Sequence, residues 1–383
     1  MSAESTEREV NAIESENSKN LKEDNWRQHQ LFKSLAKPGL PYHKFGTGNK
    51  NTLWDQPKSE GIDTREALLK FHRENYSSNN MKLVVIGKES LDELTDQVAN
   101  LFILPENKNL KPAFYGPQYE KEALGKLLYT IPIKNSRSVQ IQFPVPDMSQ
   151  TVPYSDPSDT LIAHLIGHEG PGSLLSELKR RGWSNSLVAG TYNAARGISF
   201  FQINLDLTET GLVDFKQVVK LVFQYIELIR IELPLESWVW EEAKKYKDIQ
   251  FRFQEQSSQT ANFVSQLARR MQEEIYDDKL FEIRHGPYHI EDYKPELVQQ
   301  MLDLFTVDNS FILVTAKEFE KNWPEADLEQ KKEKWYETTF GIRVFTEEEK
   351  KLFTIDKNEL SDKLHLPPRN LYRVILQKCH ENG

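Results

Sequence analysis

The stretch from Leu161 to Gly190, LIAHLIGHEGPGSLLSELKRRGWSNSLVAG, constrains the fold more than any other part of the chain. It opens with an apolar helical pattern, Leu161, Ile162, Leu165 and Ile166, that runs into Gly167, Gly170, Pro171 and Gly172. Proline has no N–H to give a helix and glycine is conformationally permissive, so the cluster ends one helix and turns the chain. A second helix is expected after it, with Ser173 as N-cap, Leu174, Leu175 and Leu178 as its buried stripe, and Gly182 as its stop. Helix ends leave backbone N–H and C=O groups without intrahelical partners, so a break of this kind is expected to offer them to another peptide.

His164 and His168 stand four residues apart on one helical face, with Glu169 beside them. A zinc-peptidase helix places its general-base glutamate inside the histidine pair. Here Leu165, Ile166 and Gly167 fill that interval. The pair therefore reads either as a weak zinc candidate or, more commonly for such spacing, as capping or core histidines.

At 383 residues the chain exceeds the size at which one core keeps growing, so two domains are expected. A net charge of −9 argues against nucleic acid as a partner and suits neutral or basic peptides. The single cysteine, Cys379, excludes an internal disulfide and fits a reducing compartment. MSAESTEREV has neither the positive nor the apolar region of a secretory signal, and no apolar run reaches the roughly 18 residues of a membrane span. A soluble, cytoplasmic protein is expected.

From Arg8 to Leu35 the sequence has a helical rhythm with Val10, Ile13, Leu21 and Trp26 as candidate buried points. Glu9 and Glu16 lie seven residues, about two turns, apart and face the same side; alone, such a pair reads as a solvated face. Lys37 to Pro57, with Pro38, Gly39, Pro41, Gly46 and Gly48, reads as a long loop. Asp63 caps a predicted helix carrying Ala67, Leu68 and Phe71. MKLVVIG (81–87) reads as a buried strand, and 89–102 as a helix with Leu91, Leu94, Val98 and Leu101. The aperiodic, proline-rich stretch 105–118 marks a domain boundary.

Beyond it, strands are predicted at 127–133, 139–145, 198–207 and 311–315, a turn at 208–211, and helices at 212–231, 235–253 and 260–271. Helices and strands mix without strict βαβ alternation, so the fold class is α+β, built of helix-on-sheet layers.

REVNAIESENSKN (8–20), HKFGTGN (43–49), LLKFHRENYSSNNM (68–81), HLIGHEGPGSLLSELKRRGW (164–183) and the DLTETGL run from Asp206 together resemble the insulin-degrading enzyme (insulysin) family of inverted-motif zinc metallopeptidases. The resemblance runs from about Arg8 to Asn370 and implies two layered domains: 1–112 as the rear part of a first, zinc-type domain and 113–365 as a second, exosite-bearing one. Residues 366–383 form a divergent tail. In that family zinc is held by the two histidines of an H-x-x-E-H helix and a downstream glutamate, and the motif glutamate is the general base. The resemblance places Glu16 at the third zinc ligand and Glu9 at an accessory carboxylate, against the solvated-face reading.

None of the nine histidines of this chain lies in an H-x-x-E-H. The chain thus looks like a fragment or degenerate relative of a zinc metalloendopeptidase for short peptides, inactive alone and without stably bound zinc. The alternative is a non-catalytic peptide-binding module, or partner of a complementary peptidase chain or half. The resemblance also places a peptide exosite at His164, Gly167, Glu169, Leu187, Val188, Ala189, Gly190 and Thr191. There an extended peptide would pair with an edge strand. Ala189 stands where the family has glycine, and its Cβ is expected to hinder close approach.

Overall fold

In the computed structural model, residues 3–147, 158–254, 260–273, 282–290 and 293–369 are described. Most of the tail, 370–383 with Cys379 and His380, lies outside them. The first part of the chain is helical: α1 (Ala3–Asn20), α2 (Asp24–Ser34), α3 (Thr64–Asn75) and α4 (Leu91–Leu101). The helical rhythm over 8–35 is realised as two helices separated by a turn at 21–22, and the Asp24 carboxylate accepts from the backbone N–H groups of Ile133 (2.7 Å) and Lys134 (3.0 Å), tying the start of α2 to a distant loop. Val10 is buried as expected, whereas Trp26 is exposed.

Asp63 caps α3 by accepting from Glu66 N–H, and a Ser90/Glu93 capping box starts α4. The strand expected at 81–87 is absent. The segment pairs with no strand among the described residues, and Leu83, Val85 and Ile86 stand half exposed. An apolar run becomes a strand only when neighbours take its N–H and C=O groups. The apolar stripe of α4 is left open in the same way, with Leu91 82% exposed.

Among the described residues, all the strands lie between residues 126 and 344 and form one sheet in the order β3-β4-β2-β5-β1-β7-β6. The elements are β1 (Lys126–Thr130), β2 (Arg137–Val145), α5 (Ser158–Ile166), α6 (Leu174–Arg180), β3 (Ser184–Ala195), β4 (Ile198–Leu207), α7 (Phe215–Ile231), α8 (Ser237–Arg252), α9 (Thr260–Arg270), α10 (Pro295–Asp303), β5 (Phe311–Ala316), β6 (Lys331–Lys332), β7 (Thr339–Val344) and α11 (Glu347–Phe353). Only β1 and β5 run parallel; the other neighbours are antiparallel. Thr208, expected in a turn, instead caps a short helix at Glu209–Val213.

Alternation decides the two faces. Val139, Ile141 and Phe143 of β2 and Phe201, Ile203 and Leu205 of β4 point into a core completed by apolar residues of α5, α6, α7 and α10. On the other face, Leu31 and Phe32 of α2 cover Leu128, Phe311 and Leu313 in a second, smaller cluster. The Arg27 guanidinium fixes α2 further by donating to the Tyr336 carbonyl at 2.7 Å. The result is the expected helix-on-sheet layering. No helix among the described residues is long and apolar enough to cross a membrane.

Candidate functional site

Glu9 and Glu16 project from the same side of α1 into solvent, while Thr6, Val10 and Asn17 face inward. Among the described residues, no three His, Cys, Asp or Glu side chains are grouped so as to hold a metal ion. A protein zinc site needs three or four converging ligands, and these two carboxylates have no such company. The residues described therefore do not fit a zinc centre. The His164 and His168 rings sit edge to face with centroids 6.0 Å apart, and Nδ1 of His168 is spent on accepting the Gly170 N–H at 3.0 Å. Burial holds His168 below its usual pKa, against the pull of Glu242 and Glu169, and so favours the neutral form that this acceptor role requires.

The Gly-Pro-Gly break is closed on itself. Gly167 N–H donates to Ala163 O at 2.9 Å, and Ser173 N–H to Gly170 O at 3.1 Å. Gly172, at φ +77°, offers its carbonyl to His365 N–H at 3.0 Å, and a Cβ there would strike the His365 ring. The expectation that the break leaves its backbone open is corrected: local turns and the segment at 365 use these groups. Its role is to orient the two helices, with Ser173 Oγ accepting from Ser176 N–H to start α6 and Gly182 at φ +70° ending it.

The open backbone lies next door. β3 is an edge strand, paired with β4 on one side and with no strand among the described residues on the other. Leu187 is buried in the core and Ala189 packs against it, while Val188 is 67% exposed. The Ala189 Cβ thus points into the helical layer rather than toward an arriving chain. Gly190 is the open position, with nothing within 4 Å of a built Cβ. Glu169 is exposed and lies 3.5 Å from Lys179 Nζ. His164, Gly167 and Glu169 follow one another around the C-terminal end of α5, which packs against β3, the strand that carries residues 187 to 191.

The sequence reading missed one group of residues. Gln140, Gln142, Gln202 and Asn204 sit on the sheet face away from the main core, beneath Gln28 and His29 of α2. The signal was available: every second residue of SVQIQF and FFQINL is polar at these positions. By itself such alternation reads only as strand.

Residues 64–247 match the family model of the peptidase M16 inactive domain, and residues 251–374 that of the middle or third domain of peptidase M16. The chain is 44% identical to an insulin-degrading enzyme of Drosophila melanogaster over 88% of its length and 33% of that protein. It is 40% identical to the insulin-degrading enzyme of Homo sapiens over 95% of its length and 34% of that protein. It therefore spans about a third of the length of these relatives. The solved structure of pitrilysin shares its fold, with a TM-score of 0.84 and 24% identity over 97% of this chain and 38% of that one. Taken with the motif order along the sequence, these matches show that the chain belongs to the insulin-degrading enzyme family of M16 peptidases.

Proposed function

We propose that this chain is the peptide-holding part of an M16 peptidase, binding short peptides along the edge of β3 and hydrolysing none by itself. The single observation that carries this reading is the open outer edge of β3 beside the exposed Glu169 at the end of α5. An extended peptide adding to such an edge gains main-chain hydrogen bonds along its length. Its free amino group would meet the Glu169 carboxylate, a charge-assisted contact. Relatives named for degrading insulin supply the ligand class, a peptide. The family is one of zinc metallopeptidases, but no H-x-x-E-H occurs in this sequence, and Glu16 alone does not make a zinc site that needs three protein ligands.

The exposed apolar residues of 81–87 and of α4 support a further element of this reading, a complementary peptidase chain or half that covers them. Isothermal titration calorimetry with a peptide of about ten residues tests the holding role, since that length spans a strand. A free N-terminus is expected to bind, and acetylation to weaken binding. Equal affinities for the two peptides, or no binding, would remove the exosite. Chelator-sensitive cleavage of a quenched fluorescent peptide by the chain alone would overturn the non-catalytic part.

A further inference from the structure

The face of the sheet opposite the main core carries amides in register. Gln140 is paired with Asn204 and Gln142 with Gln202 across β2 and β4. Directly opposed residues of antiparallel strands place their side chains on the same face. Gln202 Nε2 donates to Gln142 Oε1 at 2.7 Å, which ties that pair together across the two strands. On its other side Gln202 is opposed by Gly190 of the edge strand, so the row ends at a residue with no side chain.

That gap has walls. Val188 and Tyr192 lie two residues to either side of Gly190, on the same face of β3, and opposite Asn204 and Phe200. Both are well exposed, at 67% and 40%. α2 roofs the adjoining cleft, where the His29 and Tyr192 rings meet edge to face at 6.1 Å; that cleft, of about 310 Å³, shares Tyr192, Gln202 and Asn204 with the gap. None of its lining side chains carries a formal charge when His29 is neutral, and burial together with the nearby Lys33 favours that neutral form.

An extended peptide on the outer edge of β3 would lie about 4.8 Å beyond it, which puts its α-carbon about 9.6 Å from that of Gln202 across the bare glycine. A side chain reaching in from the peptide and the Gln202 amide reaching out would meet over Gly190. An aliphatic side chain there would desolvate amides without bonding them, and a charged one would enter a site whose own lining offers no counter-ion.

Resting on the edge-strand reading above, we infer that the slot between Val188 and Tyr192 selects bound peptides by one uncharged hydrogen-bonding side chain, an amide or hydroxyl, presented to Gln202. The slot adds side-chain choice to an edge that otherwise recognises only backbone.

Fluorescence anisotropy on labelled peptides with free N-termini tests it, with one residue at a time set to Gln, Leu, Glu or Lys. At one position, and at neither neighbour, Gln is expected to bind about fivefold tighter than Leu, the worth of one good neutral hydrogen bond. Gly190→Val should erase that preference while leaving binding at the level of the Leu peptide. Gln202→Glu should move the preference to Lys. Both variants are checked for native circular dichroism, and because one erases a preference and the other redirects it, misfolding does not imitate both results. Undiminished binding with equal affinity for all four residues at every position would overturn the slot and leave the edge strand standing. A Gln preference that survives Gln202→Glu would also overturn it. Failure of every peptide to bind would remove the edge-strand reading, and the slot with it.

Discussion

Replacing Glu349 by glutamine should remove about 3 kcal/mol of stability at neutral pH, and the loss should fade in acid. Glu349 is 3% exposed and accepts from Arg343 Nη1 (2.6 Å) and Nη2 (2.8 Å), from Lys216 Nζ (2.8 Å) and from the Thr346 N–H (3.0 Å). Arg343 continues the network to Glu325, which accepts from the Tyr129 hydroxyl at 2.8 Å. Burial pushes the Glu349 carboxyl up, but the hydrogen bonds from Arg343, Lys216 and the Thr346 N–H outweigh it and hold the group at about 2 against an ordinary 4.5. At 1.36 kcal/mol per pH unit, that gap sets the figure of about 3 kcal/mol. Breaking a buried pair by removing one partner costs a similar amount, roughly 3–5 kcal/mol.

The folded-state pKa is depressed, so the stabilisation is complete above about pH 4.5 and is lost as pH falls toward 2. Urea unfolding followed by circular dichroism at a series of pH values should therefore show Glu349→Gln well below the parent chain at pH 7, with the two converging in acid. A gap at pH 7 under about 1 kcal/mol, the value of a surface pair, would refute the burial argument, as would a gap that does not change with pH. Glu177 also sits at about 2 and is 3% exposed, but its partners Arg180 and Arg181 lie three and four residues away on the same helix. Pairs that close persist in part in the unfolded chain, so Glu177→Gln should cost less than Glu349→Gln.

His168→Ala should cost about 1 kcal/mol at pH 8 by stranding the Gly170 N–H, and amide exchange at Gly170 should accelerate. Because the folded pKa of His168 is depressed, its contribution holds above its usual 6.5 and is lost as pH falls through the lowered value, with Glu169 and Glu242 as the facing acids and His164 as the facing ring. A pH-independent Gly170 exchange protection would contradict this. Leu91→Glu on the open face of α4 should leave thermal stability within about 0.5 kcal/mol and reduce self-association in sedimentation, since that side chain is 82% exposed; a large loss of stability would show the face to be packed. Ala189→Gly should weaken rather than strengthen the chain, by about 0.5–1 kcal/mol, because it removes a methyl packed on the core and frees the strand backbone.

Local chemistry made much of the fold legible. Ser173, Asp63 and the Ser90/Glu93 box start helices where capping rules place them. Alternation in ISFFQINLDL marks β4 correctly. What depends on distant partners was not legible. The run at 81–87 has strand composition without strand neighbours, and the start of α2 is anchored by backbone groups at 133 and 134. Alternation does not mark β3 in SNSLVAGTYNAA, because the exposed Val188 and Tyr192 are apolar as well as the core-facing Leu187 and Ala189. The peptide edge itself entered through family resemblance, and no periodicity in Leu187 to Thr191 would have revealed it. The amides at 140, 142, 202 and 204 are visible as a pattern, but their meeting as two opposed pairs on one face requires the β2–β4 register.

Hydrogen–deuterium exchange on β3 with and without a short peptide tests the central claim most directly. Exchange of backbone amides within Leu187 to Tyr192 should slow on adding a peptide with a free N-terminus, because outward N–H groups of an edge strand gain partners when a strand is added. α1, with Glu9 and Glu16, should show no change. Protection confined to α1, or peptide binding with no protection anywhere on β3, would contradict the assignment of this edge as the peptide-holding site.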